Sequence, residues 1–163
     1  MIFINIGSNL SSIHGSKFEN LSKAINLILF EKITINKISS IYETPSYPNK
    51  ENPKFLNICV EIATIKKPLA LLKCLKKIEK KLFRENSLRN QPRTCDIDLI
   101  DFNEKVIKSK ILSLPHPRAH LRNFVLYPLK EINPNWKHPL LNKKIDFLIK
   151  SLNDKLRNEI TRL

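Results

Sequence analysis

The stretch RNQPRTCDIDLI, residues 89–100, decides how the middle of the chain folds. Its second half predicts a strand over residues 94–102, directly after a polar segment without periodicity. Because side chains alternate along a strand, Asp96 and Asp98 point to one face and the apolar residues to the other. Two carboxylates about 7 Å apart on one face repel each other, so this strand needs a cationic partner.

The elements around this strand predict the order β-α-β-β-α-β. Further strands are predicted over residues 2–6, 33–42 and 55–64, and a short one begins at 106–107. Helices are predicted over residues 16–31, from Pro68 to about 82, over 124–132 and over 145–152, and the rest after 133 is irregular. One domain spanning residues 1–163 is therefore expected, with an α+β fold. Its ferredoxin-like core would be a mostly antiparallel sheet with helices packed on it.

Composition limits the classes of protein. The 163 residues include 29 basic and 15 acidic side chains, a formal charge of +14, which favours an anionic partner. The three cysteines are too far apart for a zinc motif, so a reducing compartment is expected. No basic leader opens the sequence, and no apolar run approaches the roughly 18 residues of a membrane span. A cytoplasmic protein without a membrane partner is the prediction.

The paired acids favour a metal site. Magnesium binds carboxylate oxygens and keeps further positions for phosphate, so Asp96 and Asp98 could hold such ions beside a polyphosphate. The polar segment before them contains Arg84, Arg89 and Arg93, whose guanidinium groups match phosphate oxygens. The alternative is an exposed strand whose acids meet surface lysines, next to a solvated arginine loop.

Other polar residues have competing interpretations. Glu79 lies at the edge of the apolar stripe of the second long helix. It is either a functional acid or a partly covered acid that pairs with a nearby lysine. His116 and His120 have a zinc-like spacing, but the neighbouring prolines argue against a helix there. Phosphate contact by His116 and the nearby arginines is the better interpretation. With two glycines in the chain, neither a Walker A loop nor a dinucleotide fingerprint is possible.

The motifs together resemble the 6-hydroxymethyl-7,8-dihydropterin pyrophosphokinase family. The matching pieces are INIGSNL, SSIYETP, FLN, IEKKLFR, PRTCDIDLI and PHPRAHLRNFVLYPL, in the family's order over about residues 2–134. The resemblance implies transfer of the ATP diphosphate to the pterin hydroxymethyl group in folate biosynthesis, with release of AMP. It implies ATP and a dihydropterin as substrates, two magnesium ions as cofactors and, as we expect, a monomer that binds no nucleic acid.

The resemblance also implies roles for individual residues. The catalytic residues would be Arg84, Arg93, Asp96 and Asp98, of which the two aspartates would bind the metal ions. ATP would be bound by Glu79, Arg89, Leu99, Ser113, His116, Arg118 and Arg122. The pterin pocket would be formed by Thr44, Pro45, Tyr47, Phe55, Asn57 and Phe124. Aromatic faces and an amide suit a flat heteroaromatic ring, although Phe55 and Phe124 alone would also suit a core.

The sequence departs from the family pattern in the arginine-rich loop. Phe83 stands where a glycine is usual, Asn86 where a second arginine is usual, and Asn90-Gln91 where Trp-Gly is usual. Phe55 replaces a frequent tyrosine. The altered loop leaves one rival hypothesis, a relative that keeps the fold without activity. A second rival is a basic nucleic-acid-binding module, supported by the net charge and by the lysine face of the second long helix.

Overall fold

The fold is known here from a computed structural model, which describes residues 1–13, 15–47, 49–82 and 94–163. The first part of the chain forms β1 (Ile2–Ser8), α1 (Lys17–Phe30), β2 (Thr34–Ile38), β3 (Tyr42–Thr44), β4 (Phe55–Ala63) and α2 (Pro68–Lys81). The second part forms β5 (Asp96–Phe102), β6 (Ile107–Lys108), β7 (Ser113–Leu114), a 3-10 turn (Ala119–Leu121), α3 (Asn123–Ile132), α4 (Ile145–Lys150), α5 (Asp154–Asn158) and β8 (Thr161–Arg162). The predicted α+β class is confirmed.

One antiparallel sheet organises these elements. Its strands lie in the order β5-β1-β4-β3-β8, and β2 also pairs with β4. The single strand predicted over residues 33–42 is wrong, because the chain forms β2 and β3 with an interruption at Ser39. There the Ser39 hydroxyl accepts a hydrogen bond from the Cys59 N–H at 2.9 Å, so a side chain enters the backbone ladder.

Helices cover both faces of the sheet with their apolar sides. Ile2, Ile4 and Ile6 alternate onto the face that packs against α1 and α2. Phe3 points to the opposite face, where it joins apolar side chains of α3 and α4. No helix in the described part of the chain is long and apolar enough to cross a membrane.

The C-terminal region has more structure than its sequence suggests. Residues 133–163 were expected to be irregular apart from one helix, but α5 and β8 follow α4. Strand β8 pairs with β3, and the Leu163 N–H donates to the Ile41 carbonyl at 2.9 Å. Trp136 is buried and donates its indole N–H to Asp101 at 2.9 Å. These contacts attach the last residues to the sheet.

Candidate active site

A glycine opens a cleft at one end of the sheet. Gly7 of β1 lies opposite Asp96 on one side and opposite Asn57 on the other. Directly opposed residues of antiparallel strands project to the same face, so the missing side chain of Gly7 leaves a gap between the acid and the amide. This gap forms part of an open cleft of about 950 Å³, which we call the large cleft.

One end of the large cleft, the acidic end, contains five of the predicted site residues, namely Asp96, Asp98, His116, Arg118 and Arg122. The Arg122 guanidinium donates to Asp98 Oδ2 at 2.9 Å, while its Cζ lies 5.3 Å from the centre of the Phe124 ring. Arg122 precedes the first residue of α3, and the 3-10 turn before it fixes its direction. The acid that would meet a metal is thus already held by a cation.

His116 is oriented by its own loop. Its Nδ1 accepts from the Arg118 backbone N–H at 3.2 Å, so the neutral ring carries its proton on Nε2. Nε2 faces Asp98 Oδ2 at 3.7 Å. Burial lowers the pKa of His116 below its usual range, while the Asp98 carboxylate acts in the opposite direction. At neutral pH the ring therefore presents a neutral N–H donor to the acidic end.

The other end, the aromatic end, contains all six residues predicted for the pterin pocket, namely Thr44, Pro45, Tyr47, Phe55, Asn57 and Phe124. Asn57 is 3% exposed and donates its amide N–H to the Thr44 hydroxyl at 3.2 Å. Phe55 and Phe124 are partly buried and line the cleft instead of joining the core completely, whereas Tyr47 is exposed at the rim. This end offers apolar ring faces beside a fixed amide.

A second, small cleft of about 240 Å³ adjoins the acidic end. It contains Leu99 and Ser113, both predicted to contact ATP, and its outer wall is the segment 109–113. Lys76, Asp98 and His116 line both clefts, so they mark the junction between them.

Glu79 lies beneath the site and lines neither cleft. Its side chain is buried, and Oε1 accepts from the Ile97 backbone N–H at 2.6 Å and from the Lys76 ammonium at 2.8 Å. Burial raises the pKa of Glu79, and Lys76 opposes that rise. Contact of Glu79 with ATP stays a prediction, whereas these bonds give it a positioning role between α2 and β5.

Two parts of the site were missed by the sequence reasoning. Lys76 was overlooked among the lysines of α2, although its position three residues before Glu79 on the helix was a usable signal. The C-terminal wall of the large cleft consists of Asn153, Lys155, Leu156 and Glu159. No motif or period marks these four residues, because distant contacts bring them to the cleft.

The predicted arginines Arg84, Arg89 and Arg93 lie outside the described residues, as do the departures at Phe83, Asn86, Asn90 and Gln91. Within the described ranges, no group of three or more histidine, cysteine or acidic side chains could hold a metal. Asp96 and Asp98 nevertheless fit magnesium chemically, since it binds through one or two carboxylates together with phosphate oxygens.

Residues 3–134 match the family model described as 7,8-dihydro-6-hydroxymethylpterin-pyrophosphokinase (HPPK). The chain belongs to this family. Membership confirms the predicted family and makes the protein a pyrophosphokinase of folate biosynthesis, that is, a transferase.

Similar proteins agree with membership of the HPPK family. The 2-amino-4-hydroxy-6-hydroxymethyldihydropteridine pyrophosphokinase of Aquifex aeolicus is 35% identical over 88% of this chain and 87% of its own. The protein of the same name from Bacillus subtilis is 40% identical over 80% of this chain and 76% of its own. The fold matches solved wild-type HPPK-DHPS from Plasmodium falciparum with a TM-score of 0.69, at 18% identity, over 99% of this chain and 47% of that one. This chain thus spans about half of that longer protein.

Proposed function

We propose that this protein transfers the terminal diphosphate of ATP to the hydroxymethyl group of 6-hydroxymethyl-7,8-dihydropterin, with magnesium bound at Asp96 and Asp98. The observation that supports this most is the arrangement of the large cleft, which has an aromatic end and an acidic end separated by Gly7. The pterin would bind at the aromatic end, and the triphosphate would cross the acidic end from the small cleft.

The aromatic end suits a flat, polar heterocycle. Phe55 and Phe124 supply ring faces, and Asn57 is held in place by Thr44. A buried amide whose orientation is fixed discriminates strongly between ligands, because a wrong ligand leaves it without a hydrogen bond. Pterin binding at this end is therefore expected to depend on Asn57 more than on the rims of the cleft.

The acidic end suits phosphoryl chemistry. The pterin hydroxyl oxygen would form a bond to the β-phosphorus, the bond from that phosphorus to the α–β bridging oxygen would break, and its electron pair would stay on AMP. The hydroxyl proton would pass to solvent. Bound magnesium would neutralise charge on the phosphate oxygens, which is most of what phosphoryl transfer requires. Arg122 and the Nε2–H of His116 would orient the chain of phosphates, with the predicted Arg84 and Arg93 acting in the transition state.

The family's product distinguishes this function from its rivals. Purified protein with ATP, magnesium and the hydroxymethyl dihydropterin is expected to release AMP in step with a pterin diphosphate. Omitting the pterin or chelating magnesium should abolish both products. Release of ADP instead of AMP would refute diphosphate transfer, and binding of both substrates without AMP would identify an inactive relative. Titration with a labelled oligonucleotide checks the predicted lack of nucleic-acid binding, and sedimentation checks the predicted monomer.

A further inference from the structure

Two side chains of α2 bond the backbone of β5 at its outer edge, since β5 is the end strand of the sheet among the described residues. The Ile97 backbone N–H donates to Glu79 Oε1 at 2.6 Å, and the Ile97 carbonyl accepts from Lys76 Nζ at 3.1 Å. Lys76 and Glu79 also bond each other at 2.8 Å. Because Ile97 lies between Asp96 and Asp98 in sequence, these bonds hold the Lys76 ammonium next to the two aspartates that are predicted to bind metal.

Lys76 occupies the junction between the two clefts. The residues common to both clefts are Lys76, Asp98 and His116. Among the described residues, Lys76 is the one lysine or arginine that lines both clefts. Lys110 lines the small cleft and Arg122 lines the large cleft, but neither reaches both.

The Lys76 ammonium keeps capacity for a ligand. An ammonium group has three donors, and two of them are directed to Glu79 and to the Ile97 carbonyl. The side chain remains 40% exposed at the junction. The third N–H donor belongs to an ammonium group whose position is fixed by the other two bonds. A positive charge held in place in this way stabilises negative charge as it develops, without reorganisation of the protein.

We propose that Lys76 is a further catalytic residue, which contacts the phosphate that stays with AMP and stabilises the negative charge it gains as it leaves. The inference rests on the proposed function. At about 240 Å³ the small cleft is below the usual size of a complete ligand site, so it suits the nucleoside part of ATP. The first phosphate beyond the nucleoside then reaches the junction, and this is the phosphate that carries the leaving oxygen.

The test uses Lys76→Gln and Lys76→Arg in the complete protein, with Lys73→Gln as the matched control. Lys73 lies one helical turn away, is exposed and lines neither cleft. Lys76→Gln should lower kcat for AMP release by about tenfold to a hundredfold, with a smaller change in the KM for ATP. Lys76→Arg should recover part of the loss, and Lys73→Gln should match the wild type.

Binding separates a phosphate contact from mere support of β5 and does not depend on turnover. Calorimetric titration should show that Lys76→Gln weakens AMP binding by roughly tenfold and leaves adenosine binding unchanged, since adenosine lacks the phosphate. Equal losses for AMP and adenosine, or no loss for either, would overturn the assignment. If wild-type protein released no AMP, the proposed function would fail, and the AMP–adenosine comparison would still decide whether Lys76 contacts phosphate.

Discussion

The acidic end of the large cleft draws its side chains from β5 and from residues 116–122, the loop and 3-10 turn that follow β7, whereas the aromatic end is assembled from β1, β3, β4, α3 and the C-terminal segment. The two ends also differ in charge. At the acidic end, Asp98 meets Arg122 at 2.9 Å and His116 at 3.7 Å. At the aromatic end, the buried contact between Asn57 and Thr44 is neutral.

This difference predicts that substitutions at the two ends have different effects on the enzyme. Removing a charge at the acidic end changes how phosphate and metal are held, so the transfer step should suffer most. Altering a neutral contact at the aromatic end leaves a polar group poorly paired, so affinity for one substrate should suffer. A variant that weakens both substrates equally would mean that the two ends are not separate sites.

The largest effect is expected at the acidic end. Asp96→Asn and Asp98→Asn should each lower AMP release at least about a hundredfold, since each replaces a charged carboxylate that would bind magnesium with a neutral amide. For Asp96→Asn the melting temperature should stay unchanged or rise, because the two acids share one strand face and repel each other without metal. For Asp98→Asn this gain is opposed by the loss of the partly buried ion pair with Arg122, so a small decrease is expected. Activity assays and thermal melts check both parts. Asp146→Asn on the surface is the control, and near-normal turnover in either site variant would exclude the metal role.

The acidic end was predictable because its residues are close in sequence. Asp96 and Asp98 follow from strand alternation, and His116, Arg118 and Arg122 share one loop and turn. Glu79 illustrates the limit of such reasoning. The periodicity located it at the edge of the apolar stripe, but the bond to the Ile97 backbone depends on β5 being an edge strand, which the sequence does not state.

A smaller effect, specific for one substrate, is expected at Asn57. Asn57→Ala should weaken pterin binding by about tenfold or more and leave ATP binding nearly unchanged, because a lost buried hydrogen bond costs about 1–3 kcal/mol. Separate calorimetric titrations with each ligand measure this. Asn20→Ala is a matched control, since Asn20 is also buried but bonds the Leu10 carbonyl away from the cleft. A similar loss of pterin affinity in both variants would place Asn57 in the core.

The gap at Gly7 predicts an indirect effect on the same amide. A Cβ at position 7 would lie 2.9 Å from Asn57 Oδ1 and 3.7 Å from the Phe55 ring, so Gly7→Ala must displace the Asn57 side chain. Pterin affinity should fall by roughly threefold to tenfold, about 1 kcal/mol. In the Asn57→Ala background the same substitution should cost little, because the atom that it meets is absent. A full penalty in that background would show that Gly7 acts through another contact.

The C-terminal wall could not be predicted, because its position depends on contacts with distant residues. The Asn123 amide donates to the Leu156 carbonyl at 2.7 Å, and β8 continues the sheet beside β3. Neither contact leaves a period or motif in residues 153–163. The position of the wall is therefore set by its contacts with the sheet and with α3.

The smallest effect is expected where this wall meets the β3–β4 connection. Lys50 forms an ion pair with Glu159 across the rim of the large cleft, and the two side chains are 52% and 25% exposed. Exposed pairs contribute about 0–1 kcal/mol and weaken in salt, so Glu159→Gln should raise the KM for the pterin by about twofold at low salt and less at high salt.

Asp154→Asn is the matched control, since it removes the ion pair with Arg157 on the same short helix, and Asp154 lines neither cleft. Steady-state kinetics at two salt concentrations compare the variants. Equal changes in both would mean that the charge of α5 matters generally, whereas a change confined to Glu159→Gln would make the Lys50–Glu159 contact part of the aromatic end.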